Sequence, residues 1–320
     1  MVTLYLRDAD DPSRWTYQCA GVLIHKNLVL TAAHCTVKSR NELNECDDSM
    51  PGFCRTNRRN CGRDFLVDIS CAKTCGRCSA DNGLHRARDL LVVTGDHVLG
   101  MDDPLEKKIR VKRVHRHTGW SRILVSSHDL AVLELESSNP FLEVARPVCI
   151  PKDTHTPFNK KWGCTALGWG QTKPAEIKGA MLCNRNFPFD CEPLLVMVEE
   201  IDSLLSDSLR HVNVPVWRQS ACKVVMGQSI DKSMFCGGRR FSAKQQTARG
   251  PCTGDSGGPL VCTKDSENWY VMGLVSWGSK PCLKEKPAVF ANVPYMSDFV
   301  RKVAARKGIT LLPPKPTRFD

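Results

Sequence analysis

Seventeen cysteines in 320 residues constrain this chain more than any other feature. At about 5% of the sequence they have the density of a disulfide framework formed in an oxidising compartment. The chain is long enough to bury a sizeable core, so the bridges are not a substitute for one. The count is odd, so one sulfur stays free or bonds outside the chain. With 42% hydrophobic and 25% charged residues the composition is that of a soluble globular protein, which argues against disorder, collagen and coiled coil. The length suits one large all-β domain or two ordinary domains. No stretch approaches the ~18 apolar residues of a membrane helix. The first residues, Met1 to Asp8, bring charge too early for a signal peptide, which conflicts with the cysteine density. The net charge of +11 comes from scattered basic residues without interleaved aromatics. It points to solubility and attraction to acidic surfaces rather than to nucleic acid.

Short apolar runs separated by turn residues recur along the chain, among them Gly21–Ile24, Leu28–Leu30, Leu90–Thr94, Leu130–Leu135, Thr165–Trp169, Tyr270–Val275 and Val289–Val293. They are strand-sized and predict a barrel or sandwich. Met296, Phe299, Val300 and Val303 have helical spacing and predict a closing helix stopped at Gly308. Two segments break the pattern. Residues 36–89 are polar and hold six cysteines, and residues 171–210 hold Cys183 and Cys191 followed by Ile201, Leu204, Leu205 and Leu209 at helical spacing. Both are expected to be insertions into a β scaffold.

The most specific local feature is Gly254-Asp255-Ser256-Gly257-Gly258-Pro259. A serine becomes a nucleophile only with a base to take its proton and donors to hold the oxyanion that follows. Flanking glycines let the backbone turn sharply and aim its N–H groups inward. Thr31-Ala32-Ala33-His34-Cys35 offers the base, with small residues behind the imidazole. His128-Asp129-Leu130-Ala131-Val132-Leu133 offers a carboxylate at the start of an apolar strand, where it accepts the Nδ1 proton of the histidine.

In the order His34, Asp129, Ser256, with Gly168-Trp169-Gly170, Pro147-Val148-Cys149-Ile150-Pro151 and Ser276-Trp277-Gly278, the sequence resembles the trypsin/chymotrypsin family of serine endopeptidases. The resemblance implies an all-β fold of two antiparallel six-stranded barrels with a C-terminal helix and a cleft between the barrels. It implies Ser256 as nucleophile, His34 as general acid/base, Asp129 as its orienting partner, and the N–H groups of Gly254 and Ser256 as the oxyanion hole. Ser276, Trp277 and Gly278 would hold the substrate backbone. The primary pocket would be formed by Gly250, Ser276, Gly278 and Ala288. With glycine at position 250 no carboxylate awaits a substrate cation, and Ala288 narrows the pocket. A medium apolar or aromatic side chain is expected there, not Arg or Lys, although Arg249 in a long loop could swing in and favour an acidic residue.

Cys46, Cys54, Cys61, Cys71, Cys75 and Cys78 lie in a span without histidine, which favours three bridges over zinc. Their frame, ending Thr74-Cys75-Gly76-Arg77-Cys78, resembles the ShK-type toxin domain of sea anemones. That similarity implies Cys46–Cys78, Cys54–Cys71 and Cys61–Cys75. No lysine lies between Cys61 and Cys71, which argues against a channel ligand and for a stapled surface knob. The protease resemblance implies Cys19–Cys35, Cys164–Cys262, Cys222–Cys236 and Cys252–Cys282. Cys183 and Cys191 pair by default, leaving Cys149 for an upstream propeptide or light chain.

The expected organisation is a protease domain over 1–45 and 79–311, an inserted module over 46–78 and an extended tail over 312–320. A loop with Asp96, Asp103 and Glu106 matches one that binds calcium in some relatives, as a structural ion and not a required cofactor. No Ile-Val-Gly-Gly start follows an Arg or Lys, so Asp255 lacks the ammonium that pairs with it in active relatives. A truncated, zymogen-like form of a secreted enzyme acting on proteins or peptides is expected. A non-catalytic protease-like binding protein and a toxin-like channel ligand are the alternatives.

Overall fold

The computed structural model describes residues 1–8, 11–37, 54–56, 58–60, 74–75, 84–120, 127–138, 145–151, 162–172, 177–184, 187–197, 205–227, 230–238, 250–278 and 286–311, with 177–184 and 187–197 as backbone only. Most of the inserted segment, the 239–249 loop with Arg249, Cys282 and the 312–320 tail lie outside them.

The chain begins with a closed six-stranded barrel. Its strands are β1 (Val2–Arg7), β2 (Trp15–His25), β3 (Leu28–Thr31), β4 (Leu90–Thr94), β5 (Lys107–Arg116) and β6 (Ala131–Leu135), in the order β1-β2-β3-β6-β5-β4, every pair antiparallel. Val2, Leu4, Leu23, Val29, Leu90, Val92, Ile109, Val111 and Leu133 fill its interior. β3, β4 and β6 are buried along their whole length. That explains why they read as apolar runs and not alternating ones, with Glu134 of β6, paired to Lys307, as the exception. β5 alternates: Ile109 and Val111 point inward while Lys108, Arg110 and Lys112 face solvent.

The second half is a six-stranded antiparallel sheet in the order β10-β7-β12-β13-β14-β11. Its members are β7 (Gly163–Gly168), β10 (Arg210–Asn213), β11 (Met234–Gly237), β12 (Pro259–Thr263), β13 (Tyr270–Trp277) and β14 (Ala288–Asn292). The ladders leave it open where a closed barrel is expected. Just beyond β10, however, Val216 bridges Gly237 and Trp217 N–H donates to Cys236 O, so the outer edges curl towards each other. Phe235 stacks on Phe290 with ring centroids 5.4 Å apart inside this sheet.

α1 (Gln219–Met226) precedes β11, and α2 (Val293–Ala305) ends the fold. Asn292 caps α2 by accepting Tyr295 N–H, and Gly308, at φ +64°, turns the chain out of it. Met296, Val300 and Val303 of α2 pack with Val22, Leu28, Leu130, Val271 and Leu274 in one apolar cluster. The helix therefore seals the seam between the two sheets.

Residues 177–184 and 187–197 lie in the segment expected to be an insertion. They form a two-stranded hairpin of β8 (Ile177–Asn184) and β9 (Phe187–Met197), in which Cys183 and Cys191 are register partners. Residues 205–209 are not helical: Ser206 N–H donates to Trp169 O, Leu209 N–H to His97 O, and Ser208 bridges Val98. Contacts to the two sheets override the helical spacing there.

Candidate active site

His34 sits in a single 3-10 turn, Ala33–Thr36, directly after β3. Ala32 and Ala33 are fully buried, so their small side chains let the turn lie flat against the barrel. The His34 N–H donates to Asp129 Oδ1 at 2.9 Å, and Nδ1 lies 2.7 Å from Asp129 Oδ2. A carboxylate only accepts, so Nδ1 carries a proton. The Asp129 side chain is 0% exposed, against 31% for His34. Across the seam, Ser276 Oγ at the end of β13 donates to Asp129 Oδ2 at 2.5 Å. Burial works to raise the Asp129 carboxyl, but the His34 ring, the Ser276 hydroxyl and the His34 N–H together hold it below the usual range. The charge is thus kept in a dry place by its partners.

The turn Gly254–Pro259 is pressed against the same corner. Ala20 N–H donates to Ser256 O and Gly257 N–H to Val275 O, both at 2.8 Å. Gly257 has φ +73°, and a Cβ there would collide with the Ala20 carbonyl and with Thr31 Oγ1, two residues before the His34 turn. Only glycine fits. Gly254, at φ +94°, is crowded by Leu205, and its carbonyl accepts from Tyr17 OH at 2.8 Å. Among the described residues the N–H groups of Gly254 and Ser256 donate to no backbone carbonyl. No hydrogen bond joins Ser256 Oγ to His34 there; the His34 Nε2 lies 3.7 Å from Cys35 Sγ.

Asp255 accepts from Gly170 N–H at 2.7 Å and Cys252 N–H at 2.9 Å. A side chain at Gly168 or Gly170 would occupy the space its carboxyl fills. Burial pushes that carboxyl up to about 6, against the pull of the two N–H groups.

The remaining predicted residues fall as follows. Ser276 and Trp277 end β13, Gly278 follows it, and Ala288 opens β14. A Cβ on Gly278 would come within 3.9 Å of the Ala288 Cα, so these two face each other. Gly250 is exposed with open space around it. Disulfides join Cys19 to Cys35, Cys164 to Cys262 and Cys222 to Cys236, and Cys149 is a free thiol. Cys54, Cys75 and Cys252 are also disulfide-bonded. The partners expected for them, Cys71, Cys61 and Cys282, lie outside the described residues, as do Cys46 and Cys78. Of Cys183 and Cys191 only the backbone is described.

Asp96 is buried and accepts from Thr3 Oγ1 at 2.8 Å and Tyr5 OH at 3.2 Å. Asp103 caps His97 N–H and Val98 N–H, and Glu106 lies 3.3 Å from Lys108 Nζ. Asp103, Glu106 and Lys108 also line a cavity of about 300 Å³. Among the described residues the one group of three metal-ligand side chains with all ligand atoms within 4.8 Å of one another is Cys19, His34 and Cys35, and its two sulfurs form a disulfide. The sequence reading assigned Ser276 to the pocket and the substrate strand and missed its bond to Asp129. Nothing in the spacing of a lone serine announces a hydrogen bond across two sheets.

A histidine ordered by a buried carboxylate on one barrel, with a serine in a glycine-rich turn that leads into a second sheet and is bonded to that barrel, is the arrangement of a two-barrel serine protease. The chain matches the family described as Trypsin over residues 1–48, 56–185 and 198–300, and it belongs to that family of serine proteases. The two gaps in the match fall within the segments 36–89 and 171–210. The protein is also 30% identical over 206 residues, 64% of its length, to Transmembrane protease serine 9 of Rattus norvegicus, of which it spans 16%. No helix among the described residues is long and apolar enough to cross a membrane.

Proposed function

We propose that this chain is the catalytic domain of a secreted serine endopeptidase that cleaves peptide bonds through an acyl-enzyme. The observation that carries this reading is the two-point grip of Asp129 on His34, through the backbone N–H and Nδ1. It fixes the tautomer of the ring and ties it to the carboxylate, leaving Nε2 to take the Ser256 proton as Oγ attacks the scissile carbonyl. His34 then hands that proton to the leaving amine. The N–H groups of Gly254 and Ser256, which have no acceptor among the described residues, would receive the oxyanion, and their value lies in being fixed before the charge develops. Nucleophile and base in such sites often close to hydrogen-bond distance only with substrate bound.

The primary pocket is neutral, because Gly250 offers no carboxylate and Ala288 faces Gly278. It takes a medium apolar or aromatic residue and disfavours Arg and Lys, since an unpaired buried cation is costly. Asp255 awaits an ammonium released by cleavage of an upstream segment, and Cys149 would tether that segment. Residues 46–78 form an ShK-like knob at the cleft, and Asp96, Asp103 and Glu106 a structural calcium site.

The test is labelling of the activated full-length protein with a serine-directed phosphonate. Labelling abolished in Ser256→Ala, with Asp129→Asn lowering kcat by about 10⁴, is the expected result. An unlabelled wild-type protein would favour a protease-like binding protein instead.

A further inference from the structure

The His34 turn is gripped on one side by Asp129 and on the other by a group that no triad contains. Arg116 is the last residue of β5, and its backbone pairs with Ala131, two residues past Asp129. Its guanidinium turns towards the 3-10 turn. Nε donates to Thr36 Oγ1 at 2.8 Å, and Nη2 donates to Thr36 O at 2.6 Å and to His85 O at 3.3 Å. Thr36 is fully buried, and its hydroxyl proton goes to Ala33 O at 2.7 Å. A hydroxyl has one proton and lone pairs to spare, so it donates to Ala33 and accepts from Arg116 at once. The chain of bonds Arg116–Thr36–Ala33 therefore closes the turn whose second residue is His34.

The same guanidinium holds a second object. The described chain leaves the barrel at Val37 and returns at Leu84; these two bridge each other, and His85 N–H donates to Thr36 O at 3.1 Å. They are the two ends of the segment that carries the six extra cysteines. Arg116 binds the outgoing end at Thr36 and the returning end at His85. No carboxylate among the described residues lies within ion-pair distance of it. A half-buried cation satisfied by carbonyls and a hydroxyl is held by geometry, because only the planar fork of arginine spans such acceptors.

We infer that Arg116 is a positioning residue: it clamps the stem of the inserted segment onto the Ala33–Thr36 turn and so fixes the catalytic His34. This rests on the protease reading above. Losing the clamp frees the Thr36 end of the turn while the Asp129 grip remains. The ring then loses its alignment, whereas the pocket and substrate strand on the second sheet are untouched. The effect belongs in kcat and not in KM.

The experiment uses the activated full-length enzyme and a small ester substrate. Arg116→Ala should lower kcat about tenfold or more, as sub-ångström misplacement of a catalytic group does, and leave KM within about twofold. Arg116→Lys should fall between, because an ammonium cannot reach all the acceptors. Thr36→Val should act in the same direction, and the Arg116→Ala/Thr36→Val double variant should be no slower than Arg116→Ala alone, since both break one chain of bonds. A folded Arg116→Ala with wild-type kcat overturns the inference, as does a loss shared equally by kcat and KM. If Arg116→Ala does not fold, additive losses from Arg116→Lys and Thr36→Val overturn it. A wild-type enzyme that neither turns over nor labels overturns the protease reading, and this one with it; an active wild type indifferent to Arg116 overturns this one alone.

Discussion

The Asp129 and Asp255 carboxyls are both buried and differ in fate. Burial penalises both charges, but Asp129 has the His34 ring, the Ser276 hydroxyl and the His34 N–H to offset it, whereas Asp255 has two backbone N–H groups. Its carboxyl is therefore raised from 3.8 to about 6. An acid with a folded pKa above its unfolded one costs stability when it ionises. The cost is absent below the unfolded value, grows as pH rises, and is complete above about 6, where it is at most about 3 kcal/mol. Urea midpoints of this chain should thus fall between pH 4.5 and pH 8 by more than those of Asp255→Asn. Equal pH dependence in the two proteins would show that the carboxyl is not strained. The sequence already announced Asp255 as a carboxylate in want of a cation. It did not announce Gly168 and Gly170 as the residues that make room for it, because a glycine's role depends on what is packed beside it.

Among the elements, legibility followed burial. β3, β4 and β6 are buried throughout and were visible as apolar runs, and α2 was visible from its spacing. β5 was not singled out, since Lys107–Arg116 is mostly charged and keeps only Ile109 and Val111 inside. The β8–β9 hairpin was hidden within a segment that reads as an insertion, and the helical spacing of Leu205 and Leu209 gave way to bonds with Trp169 and His97. Arg116 was invisible for the same reason as β5: an arginine in a basic strand reads as solvated. The two helices offer a direct contrast. Val300 on α2 is 0% exposed in the seam cluster, while Val224 on α1 is 84% exposed. Val300→Ala should cost about 2–3 kcal/mol, from lost burial and the cavity left behind. Val224→Ala should stay within about 0.5 kcal/mol. Denaturant unfolding of the two variants measures the difference, and similar costs would mean that α2 does not seal the seam.

At the scale of the molecule, the candidate site belongs to neither sheet alone. His34 and Asp129 come from the barrel, Ser256 and Ser276 from the second sheet, and bonds such as Ala20 N–H to Ser256 O and Ser276 Oγ to Asp129 hold them in register. The insertion stem joins this assembly one residue beyond the His34 turn. Val37–Leu84, Thr36–His85 and the Arg116 clamp close it using residues outside 46–78. Excising 46–78 and rejoining the ends through a short flexible link therefore removes the segment proposed above to stand at the cleft, while the bonds that close the stem remain. Loop shortening of this kind changes closure entropy only slightly. For a small ester, kcat/KM of the shortened enzyme should stay within about threefold of wild type, because the stem and its bonds persist. For folded protein substrates it should change by about tenfold or more, in either direction. An increase would mean that 46–78 excludes bulk, and a decrease that it captures the substrate or a partner. Both follow if the segment stands at the cleft as proposed. Equal changes for ester and protein would mean instead that 46–78 supports the turn itself, and would move the origin of that support from Arg116 into the inserted segment.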